Sequence, residues 1–101
     1  MAFVQIIEFR SSRIDDILKL DADWTDRAGT ETTARREVLC EDRDNPGRYF
    51  QVVFFDSYES AMKNSQLPVT QEFAEKMGAL ADGPPIFYNL NVVEHRTFDE
   101  R

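Results

Sequence analysis

The chain is poor in the residues on which most site chemistry is built. Its 101 residues include one cysteine, one histidine and one tryptophan. With Cys40 alone no intrachain disulfide can form, and a reducing interior is expected. Cys40 itself reads as a small apolar strand residue rather than a nucleophile. Histidine, cysteine and carboxylates never gather at ligand spacing, so no metal is expected. Neither a glycine-rich phosphate loop nor a serine or cysteine triad signature is present. "DRDNPG" (Asp42–Gly47) has the acidic start of a calcium loop, but Pro46 stands where an oxygen ligand is needed and Val53 where the closing Glu belongs. No apolar run approaches the roughly 18 residues of a membrane span, and no cationic stretch precedes one. A cytoplasmic domain is therefore expected. Cations are also scarce, 12 against 19 acidic residues, leaving a net charge of −7. That field repels phosphate backbones and anionic lipid, so neither nucleic acid nor membrane is an expected partner.

What is present is enough for a core. Hydrophobic residues make up 42% of the chain and eight are Phe. The length suits one domain, residues 1–101. A chain this short buries only about two-thirds of its unfolded surface, so self-association would help it. "AFVQIIEF" (Ala2–Phe9) reads as a first strand. "SSRID" offers a capping box from Ser12 to Asp15, and Ile14, Ile17, Leu18 and Ala22 follow at helical spacing with Leu20 and Trp24 on the flank. Gly29 suits a helix stop. Thr32–Glu41 reads as a second strand, Pro46-Gly47 as a type II turn and Arg48–Phe55 as a third strand. Asp56 is a candidate cap for a second helix that Pro68 interrupts, and Pro84–Arg96 supplies the fourth strand. The order βαββαβ defines an α+β, ferredoxin-like protomer with antiparallel sheet order 4-1-3-2 and both helices on one face.

Side chains alternate across a strand, so each strand divides into two sets. One set, Val4, Ile6, Phe50, Val52, Phe54, Tyr88, Leu90 and Val92, is almost wholly apolar and is expected under the helices. The other carries Phe3, Ile7, Phe9, Val53, Phe55, Phe87 and Val93 together with Tyr49, four amides (Gln5, Gln51, Asn89 and Asn91) and His95. Such a face is too apolar for bulk water and too polar for a dry core. It suits either a surface covered by a second subunit or an amphipathic cavity, with at least one amide expected to reach a ligand.

"YFQVVFFDSYESAM", "PVTQEFAEKM" and "GPPIFYNLNVV" carry a resemblance that runs from about Ala2 to His95. The chain resembles the dimeric α+β-barrel proteins, in particular the small antibiotic-biosynthesis-monooxygenase-like group. The resemblance implies a homodimer closed sheet against sheet, with a cavity for a small organic, aromatic ligand in each protomer. Many members carry Trp where Phe55 stands and His near Asn64. Haem-degrading relatives need an axial His on that helical segment, and residues Asn64 to Met77 contain none, so haem is not expected.

One chemistry remains when cofactors are set aside. A cofactor-independent oxygenase lets an electron-rich phenol or anthrone act as its own reductant towards oxygen. It needs a dry aromatic cavity, donors for the ionised substrate and an acceptor for one proton. Gln5, Tyr49, Gln51, Asn89 and Asn91 are candidate donors, Trp24 a candidate wall, and Tyr88 and Asn64 candidate contacts. Arg35 and Arg36 beside Glu37 read as cross-strand charge pairs. His95, roughly 20 Å along the strand from Asn89, is expected to be structural. A non-catalytic binder, a purely structural dimer and another barrel chemistry such as isomerisation stay open beside the oxygenase.

Overall fold

A computed structural model describes residues 2–98. The elements are β1 (Phe3–Arg10), α1 (Ile14–Ala28), β2 (Arg36–Glu41), β3 (Arg48–Phe55), α2 (Tyr58–Gln66), α3 (Pro68–Leu80) and β4 (Ile86–Asn91). The strands form one antiparallel sheet in the order β2-β3-β1-β4, the expected ferredoxin-like topology. Between β2 and β3 the chain turns through Asn45–Arg48, where Arg48 N–H donates to Asn45 C=O and Gly47 sits at φ 92°. A side chain at that φ would be strained, so the type II turn needs its glycine.

Several boundaries differ from the sequence reading, each because a tertiary contact claims the residue. Thr32–Arg35 is not strand, because Thr32 and Thr33 turn their hydroxyls towards α2. The Ser12–Asp15 box is not formed. Arg13 precedes α1 and Ser11 Oγ accepts from Arg13 N–H while donating to Leu80 C=O. The cap of α2 is Ser57, not Asp56: its hydroxyl accepts from Ser60 N–H at 3.0 Å, and Asp56 instead pairs with Arg35. Ser57→Ala should therefore lower stability by about 1 kcal/mol in urea unfolding, a typical value for a lost hydroxyl cap. The second helical stretch is split in two. Leu67 is extended and Pro68 opens α3, where its missing N–H costs no helical hydrogen bond. β4 stops at Asn91, and His95 lies beyond it in exposed, non-strand chain.

The assignment of the two sheet faces is reversed. Phe3, Phe9, Tyr49, Gln51, Val53 and Phe55 are the buried sheet residues, so the mixed, amide-bearing set lies under the helices. Phe3, Val53 and Phe55 pack with Ala61 of α2. Phe9 and Tyr49, stacked at 5.4 Å between ring centroids, pack with Ile17 of α1 and Met77 of α3. The more apolar set faces outward, with Leu90 44% exposed and Tyr88 41% exposed. The reason is that the aromatic anchors stand at the ends of β1 and β3, where they close-pack against helix side chains. The amides occupy the middle, where the helices stand off the sheet. The core is accordingly split in two, and a cavity lies between the halves.

Candidate functional site

The cavity has a volume of about 310 Å³, at the lower end of the range for small-molecule pockets. Its sheet side is Gln5 and Ile7 of β1 with Gln51 and Val53 of β3, paired in register as Gln5↔Val53 and Ile7↔Gln51. Trp24 of α1 and Phe73 of α3 form an aromatic wall, their ring centroids 6.1 Å apart. The indole N–H donates to Thr70 Oγ1 at 2.9 Å, which fixes the ring plane against α3. Phe87, on the β4 edge that no helix covers, lines the cavity and is 54% exposed, so this is the open side.

Asn64 is buried in the wall at the end of α2. Its Oδ1 accepts from Thr32 Oγ1 at 2.7 Å and from Thr33 N–H at 3.4 Å. Because a backbone N–H can only donate, the amide is held with its oxygen outward to the β2 approach. Its NH₂ is left to serve the cavity. The Pro68 break sits four residues on, where the extended Leu67 ends α2, and Ser65 and Thr70 on either side of it line the cavity.

The lining also holds two carboxyls, Asp21 from α1 and Glu37 from β2. Gln51 Nε2 donates to Glu37 Oε1 at 2.5 Å. Burial first, then the neighbouring Asp21, pushes the Glu37 carboxyl up from 4.5 to about 7, while the Gln51 amide opposes the rise. Two carboxylates this close cannot both ionise comfortably, so one proton is shared. Asp21 Oδ1, among the described residues, is the buried side-chain oxygen with no hydrogen-bond partner.

The pair has a consequence for stability. Glu37 holds its proton more tightly folded than unfolded, so its contribution is fully present below about pH 4.5 and is lost as pH rises towards about 7. Relative to Glu37→Gln, which cannot titrate, the natural chain should lose on the order of 1–2 kcal/mol across that window, allowing for the partial solvent access of the group. Urea unfolding of both proteins at several pH values measures it. A constant difference would mean that Glu37 does not carry the shared proton.

The eight residues expected in the site are divided. Gln5, Trp24, Gln51 and Asn64 line the cavity. Asn89 does not reach it but lies beside Gln5 on the same face, its Oδ1 accepting from Gln5 Nε2 at 3.1 Å. Asn91 is exposed at the end of β4. Tyr49 is packed on Phe9, with its hydroxyl turned to Glu41 and its ionisation pushed up by burial first and then by that carboxylate. Tyr88 lies on the opposite face, donating to Glu8 Oε1 at 2.9 Å. Asp21 and Glu37 were not among the expected residues. Arg35 pairs with Asp56 and Arg36 stacks over Phe54, so neither neutralises Glu37. The signal for Asp21 was its spacing: it falls four residues after Ile17 and three before Trp24, on the buried stripe of α1.

Fold and cavity together define a ferredoxin-like α+β protein with a small amphipathic pocket between sheet and helices. Many of its structural neighbours are described as putative antibiotic biosynthesis monooxygenases. One neighbour is SnoaB, a cofactor-independent oxygenase from Streptomyces nogalater, at 12% identity and TM-score 0.79 over 93% of this chain and 95% of that one. Another, from Caulobacter crescentus, is 14% identical with TM-score 0.80 over 92% and 91%. Rv0793 from Mycobacterium tuberculosis is 18% identical with TM-score 0.78 over 96% and 100%. At these identities the likeness is one of fold. No family model matches the sequence, and no curated protein matches it significantly. Among the described residues no helix is long and apolar enough to cross a membrane.

Proposed function

We propose that the protein is a homodimeric, cofactor-independent oxygenase of electron-rich hydroxylated aromatics. The observation that carries this reading is the Asp21–Glu37 carboxyl pair, which lines the same aromatic cavity as the fixed amide of Asn64. Above pH 7 the pair is an acceptor for one substrate proton, poised where a general base works best. The Asn64 NH₂ is a preorganised donor for the oxygen on which the resulting charge settles. Trp24 and Phe73 hold the ring plane. The substrate then supplies every electron. In an anthrone its CH₂ becomes C=O, one oxygen atom stays in the product, and the other leaves as water with the two displaced hydrogens. SnoaB, similar in fold, is a cofactor-independent oxygenase, which supports this class.

The dimer half of the reading rests on the outward sheet face. Val4, Ile6, Val52 and Phe54, half-buried, and Leu90, exposed, stand side by side there as a run of apolar groups that a partner would cover. A second copy covers it sheet against sheet.

Oxygen uptake with an anthrone and hydroquinone panel, with no added metal, flavin or nicotinamide, tests the activity. Asn64→Ala should weaken ligand binding by about 1–3 kcal/mol in calorimetry and slow turnover. Ligand-induced stabilisation with no oxygen uptake would make the protein a binding module instead. The carboxyl pair would also serve an enolising isomerase. Exchange of substrate C–H for deuterium without oxygen consumption would point to that chemistry.

A further inference from the structure

The electrostatics of the cavity are one-sided. Among the described residues, Asp21 on α1 and Glu37 on β2 are its only ionisable lining groups. β1 and β3 offer Gln5 and Gln51, α2 offers Asn64, and α3 offers Thr70 and uncharged neighbours. Among the described residues no Lys, Arg or His lines it to receive an anion, and the Arg35 and Arg36 guanidiniums are engaged elsewhere. A carboxylate, sulfonate or phosphate entering here would lose its hydration, meet a second negative charge in a low-dielectric space, and find only amide donors. An uncharged hydroxyl meets none of these penalties. It can donate to the acid pair and accept from the Asn64 NH₂, which is buried at 7% exposure with its oxygen already engaged. The net charge of −7 acts in the same direction at longer range.

We infer that the Asp21–Glu37 pair is a charge filter, admitting uncharged hydroxyaromatic ligands and turning away their anionic counterparts. The inference rests on the proposed reading of the cavity as a substrate site and adds the substrate class. Specificity of this kind comes from a repulsive element as much as from an attractive one.

The test is calorimetric titration of the full chain with 2-naphthol and with 2-naphthalenesulfonate, which share a ring system and differ in charge. At about pH 8 naphthol should bind about tenfold or more tighter than the sulfonate. Lowering the pH to about 5, which returns a proton to Glu37 and leaves both ligands' charges unchanged, should narrow that gap. The double variant Asp21→Asn, Glu37→Gln should narrow it at both pH values, and the pH series on the natural chain serves if that variant does not fold. Equal binding of the two ligands, absent naphthol binding, or a gap unmoved by pH overturns the filter. The two readings fail separately. Selective naphthol binding with no oxygen uptake across the anthrone panel would remove the oxygenase and keep the filter. Equally fast oxygen uptake with an anthrone and its carboxylated analogue would do the reverse.

Discussion

Glu37→Gln is expected to lower oxygenase turnover by about 10²–10⁴-fold, the span over which a positioned general base acts. The substitution keeps the shape of the side chain and a partner for Asp21, so the cavity stays open and binding should change little. The expected signature is a fall in kcat with KM nearly unchanged. In the natural chain the rate should rise with pH through about 7 as the shared proton is lost, because only the deprotonated pair accepts another. The variant's residual rate should lack that inflection. Oxygen-electrode kinetics between about pH 5 and 9 read both. Unchanged kcat would remove Glu37 as the proton acceptor. A collapse of binding along with turnover would assign the pair to holding the cavity open.

Val52→Glu is expected to convert the protein from dimer to monomer. Val52 stands near the middle of the outward face, in register with Ile6 of β1 and Val38 of β2. In a sheet-to-sheet dimer each copy would carry a carboxylate into the interface, and desolvating two such charges costs several kcal/mol. The dissociation constant should rise by about 100-fold or more, which sedimentation at micromolar concentration resolves. The protomer itself should survive, because the side chain points away from both halves of the core, and its circular dichroism should be retained. A variant that remains dimeric would place the interface elsewhere.

The residues themselves determined a good deal of this molecule. The alternation of strand and helix signals led to βαββαβ and the 4-1-3-2 order. Local propensity and turn chemistry act over a few residues, and right-handed crossovers leave few ways to join such elements. Gln5, Gln51 and Trp24 were legible as candidates because amides on an aromatic face, and a Trp beside a helix stripe, are costly unless something uses them, and Asn64 through the family resemblance; all four line the cavity. The tertiary structure decided what periodicity leaves undetermined. Alternation separates the two faces of a sheet but does not say which one the helices cover. The more apolar set, the default choice for a core, is here the outward one. Tyr88 therefore left the site, and the amide face entered it. The carboxyl pair was beyond reach for a related reason. Asp21 and Glu37 are sixteen residues apart on different elements, and each alone reads as a solvated charge. Only the docking of α1 over β2 brings them together beneath Gln51, where burial and mutual repulsion turn two ordinary acids into one shared proton.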